Sequence, residues 1–328
     1  MSYERKGKPG FPKDGATGGA FEEDLLGKAI DDLRREIQAR LDTARAPRPS
    51  LDAWSLYESL RRRMGLLGVS SRSVDIDEFG LDASAIMRAE PFLDFLLDRY
   101  WRVQLQGIEG LPRPALFVAN RAGLLPYDGL LLSHALARES PGTPRPRFLV
   151  SDGVESLPFV NPRLTRLGAV RAGRENALRL LRSGSCVIAF PEGIKGSQKS
   201  FSERYQLQSF GRGGVIRIAL EAGVPLVPVG IVGGEEVHPL LGRAEGVERE
   251  SGLPFVPITP TFPLLGLGGL VPLPVKWVMV FGQPLSLEAQ GSEAARDELL
   301  VARLLARLRR RIESLIEEGL NARGTVLG

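Results

Sequence analysis

The sequence predicts an α/β fold in which a mixed, largely parallel sheet is flanked by helices and follows a helical extension at the N-terminus. The first observation is that short, β-rich apolar runs alternate with helical patterns after Trp101, as in strands joined by helical crossovers. The second is that apolar residues before Trp101 recur at helical spacing. The predicted strands are Arg102–Gln106, Ala115–Ala119, Arg147–Val150, Cys186–Phe190, Leu226–Val232 and Lys276–Phe281.

Helical patterns fill the intervals between several of these strands. The predicted helices are Asp128–Arg138, Glu175–Arg182 and Gly214–Ala222. A longer amphipathic pattern extends from Ser292 to Leu320, with apolar residues on one side and charges on the other. Such a stripe predicts a long final helix with one buried face.

The chain divides into three predicted regions. Residues 1–20 are rich in Gly, Pro and Lys and are predicted to form a disordered tail. Residues 21–80 form the predicted helical extension, because Phe21–Arg45 and Leu51–Met64 carry apolar residues at helical spacing. Residues 81–328 form the main domain. For the extension we favour packing on this domain, and contact with a membrane or with a partner protein are the alternatives.

The composition is that of an ordinary globular protein with a small positive charge. The 328 residues include 43 basic and 39 acidic side chains, and the formal net charge is +4. This balance does not indicate a nucleic-acid partner, and we predict none; it suits a protein that rests on anionic lipid. Cys186 is the single cysteine, which excludes an intrachain disulfide and a cysteine-based metal cluster. We predict no metal and no cofactor.

One uncharged run has the length of a membrane span. Leu253 to Val275 comprises 23 residues without a charged side chain, which is enough to cross a bilayer as a helix. The run contains six prolines, and each interior proline removes a backbone donor and clashes with the preceding turn. We therefore predict an irregular apolar loop that either packs on the domain or enters a membrane interface.

The first strand-to-loop junction that carries candidate site residues follows the predicted strand Ala115–Ala119. Here the chain passes through Asn120, Arg121 and Gly123 and restarts as a helix near Asp128. Ligands of open α/β sheets bind at the carboxyl ends of strands, so this junction is a predicted ligand site. The alternative role for Asp128 is to cap the helix that it opens.

The second junction follows the predicted strand Cys186–Phe190. Pro191, Glu192 and Gly193 form a turn, and Lys195 comes two residues later. Glycine allows backbone amides to approach a ligand oxygen, and lysine can supply a charge for a phosphate group. This turn is a weak signal alone, and its position directly after a buried strand strengthens it.

Taken together, these residues resemble the phospholipid/glycerol acyltransferase family. The segment Phe190-Pro191-Glu192-Gly193 matches the family's glycerol-binding motif, Val227-Pro228-Val229 matches a later apolar-proline block, and Arg171 corresponds to a basic residue of the family. The run from Tyr205 to Glu236 is closer to the diacylglycerol-acyltransferase-like branch. The resemblance covers roughly Pro91 to Leu320, and it implies the glycerolipid acyltransferase fold for the main domain.

In this family a histidine and a downstream aspartate form a catalytic pair, in which the histidine removes the proton of the acceptor hydroxyl. The resemblance assigns Arg121 to the histidine position and Asp128 to the aspartate position. A guanidinium has a pKa above about 12, so Arg121 cannot act as a base near neutral pH, although it can bind phosphate or carboxylate. Catalytic roles therefore fall to Asp128, Arg121 and Glu192. The implied substrate-binding residues are Asn120, Gly123, Arg171, Phe190, Pro191, Gly193 and Lys195.

Other side chains are alternatives for the missing proton acceptor. His134 lies six residues after Asp128, about 240° around a helix axis, so we expect it outside the site. His238 follows the predicted strand Leu226–Val232 and is an alternative base, although a lone histidine is more often structural. Glu192 is the third alternative; the resemblance implies that it organises the acceptor pocket.

Two functions are consistent with these residues. The first is transfer of an acyl group from acyl-CoA or acyl carrier protein to a lysophospholipid or glycerolipid hydroxyl. The second is a catalytically impaired pseudoenzyme that keeps the pocket and binds lipid or acyl donor. The partners are in both cases a lipid and an acyl thioester. Because the N-terminus lacks the apolar segment of a signal peptide, we expect a cytoplasmic protein bound peripherally to the inner face of the membrane.

Overall fold

The computed structural model describes residues 76–123, 125–151, 160–244, 256–266, 269 and 271–324. The predicted tail, residues 1–20, and the helical patterns predicted between Phe21 and Met64 lie outside these residues. The boundaries predicted at residues 20 and 80 therefore remain predictions. Asp77, near the end of the predicted extension, is described, and its carboxylate pairs with the Arg147 guanidinium.

The domain is built on a mixed, largely parallel sheet, as predicted. In the described residues the strands are β1 (Gln104–Gln106), β2 (Leu116–Ala119), β3 (Arg147–Val150), β4 (Ala169–Arg171), β5 (Val187–Ala189), β6 (Leu226–Val232), β7 (Gly242–Ala244), β8 (Val256–Ile258) and β9 (Val278–Phe281). Seven of them form one sheet in the order β1-β9-β6-β2-β5-β3-β4. Neighbours are parallel throughout, except that β9 runs antiparallel to β6.

Helices pack on both faces of this sheet. They are α1 (Ala83–Phe95), α2 (Tyr127–Glu139), α3 (Val160–Arg166), α4 (Arg174–Arg182), α5 (Gly193–Ser197), α6 (Gly214–Ala222) and α7 (Glu298–Arg323). A π-helical turn, Leu96–Tyr100, continues α1. The long final helix lies so close to β6 that a Cβ atom at Gly230 would come within 2.6 Å of the Leu315 backbone, which explains a glycine in the middle of a central strand.

Alternate residues of each central strand enter two separate cores. Leu116 and Val118 of β2 pack with α4, α6 and α7, whereas Phe117 and Ala119 pack on the opposite face with α1 and α2. Every residue of β2 is buried. A strand covered on both faces has no polar side, so its sequence is a continuous apolar run, and this is the signal that predicted these strands.

The predicted elements differ from the structure mainly where elements are short. The patterns did not predict β4, β7 or β8. The prediction that the last helix starts at Ser292 was wrong. Ser292–Arg296 is a separate 3₁₀ turn, and α7 starts where the Asp297 carboxylate accepts hydrogen bonds from the Leu299 and Leu300 amides at 3.0 Å, a typical N-cap.

The uncharged run Leu253–Val275 is irregular in its described residues, apart from β8, which pairs with β7. Among the described residues, no helix combines the length and the apolar character needed to cross a membrane. The hydroxyl of Tyr100 donates to the Pro272 carbonyl at 2.6 Å and anchors the end of the run to the domain. Leu264 is 83% exposed, and Leu265 and Val271 are also exposed.

Candidate active site

The candidate site is formed by the loops that follow three adjacent parallel strands. β2 is the central strand, with β5 on one side and β6 on the other. The carboxyl ends of parallel strands meet at one edge, where ligands of open α/β sheets bind. The structure therefore brings together the two junctions that the sequence predicted, at Arg121 and Glu192, and adds the loop after β6.

Asn120 joins the end of β2 to β6. Its side-chain Nδ2 donates to the Ile231 carbonyl at 2.9 Å, and its Oδ1 accepts from the Ile231 amide at 2.7 Å. The side chain is fully buried. Both polar groups of the amide are thus bonded to the neighbouring strand, and they hold the following loop at a constant distance from β6.

Arg121 and Asp128 form a buried ion pair. The Arg121 guanidinium donates to Asp128 Oδ1, while the Ala122 and Gly129 amides donate to the same carboxylate at 2.9 and 2.7 Å. Burial raises the pKa of Asp128, and Arg121 and these amides act in the opposite direction. Asp128 does not cap α2, because that helix starts at Tyr127 and Pro126 occupies the cap position; its carboxylate turns back to the loop after β2.

Glu192 supports the same loop from the other side. Its Oε1 accepts from the Arg121 backbone amide at 2.8 Å, and its Oε2 accepts from the Gln208 amide at 2.7 Å. The Lys199 ammonium lies 3.4 Å from Oε2. The carboxylate is buried, and each of its oxygens accepts a hydrogen bond from the chain, so its placement fits the role of organising the pocket.

Glycines allow the loops to approach one another. A Cβ atom at Gly196 would lie 2.6 Å from the Arg121 Cβ and 2.8 Å from the Glu192 Cβ. Gly123 has a φ of 114°, and a Cβ atom there would lie 2.7 Å from the Gly234 carbonyl oxygen. A larger residue at Gly196 would separate the loops that carry Arg121 and Glu192, and a larger residue at Gly123 would separate the loops after β2 and β6.

An open cavity of about 310 Å³ lies beside this ion pair. Most of its wall is apolar, and the Arg121 guanidinium lies in it, 5.2 Å from the centre of the Phe190 ring. Its volume is at the lower end of the range for small-molecule sites. The lining residues are Arg121, Leu149, Val150, Ser151, Ala172, Gly173, Arg174, Ala189, Phe190, Pro191, Gly193, Phe210, Gly214, Val215 and Ile218.

The other predicted site residues form two groups, those that line the cavity and those that do not. Phe190, Pro191 and Gly193 line the cavity together with Arg121. Lys195, on α5, and Arg171, at the end of β4, are exposed and do not line it. The additional cation that sequence analysis missed in the wall is Arg174, which pairs with Glu221. It lies at the start of α4, where a charged residue gives no sequence signal of its own.

The two histidines occupy different surroundings. The His134 Nε2 lies 2.9 Å from the Asp94 carboxylate, and burial lowers the pKa of His134; as expected, it is outside the Asp128 site. His238 is buried, and its ring is stacked on the Tyr127 ring, with 6.2 Å between the ring centroids. His238 also lines a second, small cavity of about 10 Å³ with Gly123 and Lys199, and it does not line the larger cavity.

Sequence analysis missed a buried network behind the site. Lys199 lies between Glu192 and Glu235, at 3.4 and 2.8 Å. Next to it, Glu236 pairs with Arg323 of α7 at 2.7 Å. The signal that could have found it is the pair Glu235-Glu236 directly after an apolar strand, because buried carboxylates require partners. Within the described residues, no group of three or more His, Cys, Asp or Glu side chains is placed to hold a metal ion.

Comparisons with known proteins agree with the motif resemblance. The family model described as Acyltransferase matches residues 102–232, a range that includes Asn120, Arg121, Asp128 and Glu192. An uncharacterized protein of Mycobacterium tuberculosis (strain H37Rv) is 43% identical over 246 residues, which cover 74% of this chain and 68% of that protein. An uncharacterized protein of Mycobacterium leprae is 43% identical, with 74% and 66% of the two chains covered.

A solved structure is also similar to this chain. The crystal structure of the 1-acyl-sn-glycerophosphate (LPA) acyltransferase PlsC from Thermotoga maritima has a TM-score of 0.44 and 20% sequence identity, covering 73% of this chain and 84% of that chain. The identification rests on the family model and on the motifs at the ends of β2 and β5 and within β6. The chain belongs to the acyltransferase family.

Proposed function

We propose that this protein transfers an acyl group from a thioester donor, acyl-CoA or acyl carrier protein, to the hydroxyl of a lysophospholipid or another glycerolipid. The observation that carries the proposal is the apolar cavity with the Arg121 guanidinium in its wall. An apolar wall suits an acyl chain, and a guanidinium suits a phosphate or a developing oxyanion. Membership of the acyltransferase family supports the same class of reaction.

In this proposal Arg121 acts as an electrostatic group and not as a base. The acceptor oxygen attacks the thioester carbonyl, and the guanidinium stabilises the negative charge that develops on the carbonyl oxygen. A C–O bond forms and the C–S bond breaks. The hydroxyl proton passes through water to the departing thiolate, because an ordinary thiol holds its proton at neutral pH. Asp128 and Glu192 hold Arg121 in place.

The second candidate function is binding of lipid or acyl donor without turnover. The specific observation in its favour is that the candidate proton acceptors at the site are engaged by the protein itself. Asp128 accepts from the Arg121 guanidinium and two amides, and Glu192 accepts from the Arg121 and Gln208 amides. The lack of a general base costs about 10²- to 10⁴-fold in rate.

Release of free thiol tests these two functions. Palmitoyl-CoA is incubated with lysophosphatidic acid or diacylglycerol and with wild type, Arg121→Met or Arg121→His. For a transferase, wild type releases thiol only with an acceptor, and Arg121→Met loses about 10²- to 10³-fold, as expected for the loss of an oxyanion-stabilising group. Arg296→Met is the matched control, because Arg296 is exposed and pairs with Glu293 on the surface.

The result with Arg121→His separates the two candidates. A silent wild type and an active Arg121→His variant would mean that the pocket is competent and that Arg121 disables it, which supports binding without turnover. Wild-type turnover that is unaffected by Arg121→Met would contradict the role given to Arg121. If neither protein releases thiol from palmitoyl-CoA or palmitoyl-acyl carrier protein, and neither binds these donors or the lipid acceptors, both proposed functions are wrong.

We also propose that the protein works at the inner face of a membrane as a peripheral protein. The support is the exposed apolar set Leu264, Leu265 and Val271, in the uncharged run that precedes β9, together with the formal net charge of +4. Exposed apolar side chains of this size insert readily at a lipid interface, and a positive protein is attracted to anionic lipid.

A further inference from the structure

A buried cation joins the acidic groups on either side of the central strand. Glu192 follows β5 and Glu235 follows β6, and both strands flank β2. Lys199 comes from the segment after α5, and its ammonium lies 3.4 Å from Glu192 Oε2 and 2.8 Å from Glu235 Oε1. The side chain of Lys199 is only 3% exposed. The lysine therefore spans the end of β2, where Arg121 lies.

The contacts of Lys199 leave it no capacity to bind substrate. An ammonium has three N–H donors, and Lys199 has three acceptors at hand: Glu192, Glu235 and the Gln206 carbonyl at 3.4 Å. Lys199 also does not line the large cavity. Its effect on the site must therefore pass through the groups that it holds.

The group through which it acts is Glu192. The two oxygens of this carboxylate accept from the Arg121 and Gln208 amides, so the position of Glu192 sets the position of the Arg121 backbone. Without Lys199, Glu192 and Glu235 would be two buried carboxylates that face each other with no cation between them. Like charges in a buried site repel, and one of them must take up a proton or move.

We infer that Lys199 is a positioning residue of this site, which fixes the Glu192 carboxylate and through it the Arg121 loop. The consequence for acyl transfer or ligand binding rests on the proposed function, whereas the effect on the Arg121 loop does not. Glu235 is the counterpart of Lys199 in this role, since its second oxygen accepts from the Tyr205 amide at 3.1 Å and keeps the segment that carries Lys199 in place.

Hydrogen exchange of individual amides tests the inference without any ligand. Mass spectrometry compares four proteins: wild type, Lys199→Met, Glu235→Gln and the double variant Lys199→Met/Glu235→Gln. In Lys199→Met we expect the Arg121 and Gln208 amides to exchange about 10- to 100-fold faster, as for weakened hydrogen bonds to a charged acceptor, while β9 and α7 keep their wild-type protection. The double variant should regain part of the protection, because only one buried carboxylate remains.

Two results would overturn the inference. Unchanged exchange at Arg121 and Gln208 in Lys199→Met would mean that Glu192 needs no support from the lysine. Acceleration that is equal at Arg121 and in β9 would mean that Lys199 contributes to global stability alone. If Lys199→Met does not fold, the test uses Glu235→Gln, which keeps the lysine. In this variant we expect a smaller acceleration of exchange at the Arg121 and Gln208 amides.

A binding measurement then connects the change at the Arg121 loop to function. Affinity for the thioether analogue of palmitoyl-CoA is measured for the same variants. A local change in exchange together with weaker binding supports the positioning role in the active site. If wild type itself does not bind the analogue, the proposed function fails, and the exchange data still decide whether Lys199 positions the Arg121 loop. If wild type binds and Lys199→Met binds equally well despite faster exchange at Arg121, the role in the active site is wrong.

Discussion

At the scale of single residues, Arg121 and Asp128 form a buried ion pair. A guanidinium keeps its proton at any physiological pH. Asp128 is fully buried and accepts hydrogen bonds from Arg121 and two amides. The pair therefore holds the loop after β2 together and presents a positive group to the cavity.

Asp128→Asn should destabilise the protein strongly. The substitution leaves the buried Arg121 side chain, 7% exposed, without its counterion, and removal of one partner of a buried pair costs about 3–5 kcal/mol. Urea unfolding measures the change in the free energy of unfolding. The matched control is Asp98→Asn, because Asp98 is exposed and pairs with Arg138 at 3.0 Å, and such surface pairs contribute about 0–1 kcal/mol. Equal effects of the two variants would show that the Arg121–Asp128 pair is not the stabilising contact.

At the scale of elements, three loops and their glycines form the site, and one apolar run forms the proposed membrane contact. The loops after β2, β5 and β6 approach to van der Waals distance only because Gly123 and Gly196 lack side chains. The run before β9 differs from these loops because Leu264 and Leu265 point into solvent. Its end is held by Tyr100 and Trp101, which donate to the Pro272 and Leu273 carbonyls.

The double variant Leu264→Asp/Leu265→Asp should lose binding to lipid vesicles. Charged side chains cannot enter the apolar part of the interface, so flotation with vesicles that contain phosphatidylglycerol should decrease at least about tenfold. Leu299→Asp is the control, because Leu299 on α7 is 61% exposed, close to the 63% of Leu265. Binding that is unchanged in the double variant, or that decreases as much in Leu299→Asp, would refute the proposed membrane contact of this run.

At the scale of the whole molecule, buried charge is concentrated at the carboxyl edge of the sheet. Asp128, Glu192 and Glu235 are all less than 9% exposed; Asp128 pairs with Arg121, and the two glutamates share Lys199. Replacement of buried ion pairs by apolar residues of similar volume is often neutral or stabilising, so we interpret these charges as a requirement of the site. The stability of the fold should consequently depend on pH.

Glu235 should make the free energy of unfolding decrease as the pH rises from about 4.5 to about 7. Burial is the main cause that raises the pKa of Glu235 from its ordinary 4.5 to about 7. A group whose pKa is higher in the folded state stabilises the fold below its unfolded pKa, and this contribution is lost as the pH rises through the folded pKa. The difference corresponds to roughly 3 kcal/mol. Glu235→Gln lacks the titration, so the wild-type stability relative to this variant, followed by urea unfolding, should fall over that range; a constant difference would contradict the assignment.

The sequence predicted those parts of the site that lie in contiguous segments of the chain. Phe190–Gly193 and Asn120–Asp128 are contiguous motifs at strand ends, and strands that are buried on both faces appear as apolar runs. The expectation that Lys195 supplies charge at the pocket was not matched by the placement of this side chain, which is exposed on α5. Which face of a five-residue helix meets a pocket depends on how the helix packs, and five residues show no stripe.

By itself, the sequence determined the fold class, the two motif loops and the absence of a histidine next to Asp128. These follow from periodicity and from the identity of contiguous residues. Only the tertiary structure decided that Asp128 turns away from α2 to pair with Arg121, that β2 lies between β5 and β6, and that Lys199 bridges Glu192 and Glu235. Such contacts join residues far apart in the chain, and they depend on the order of strands in the sheet, which no local pattern encodes.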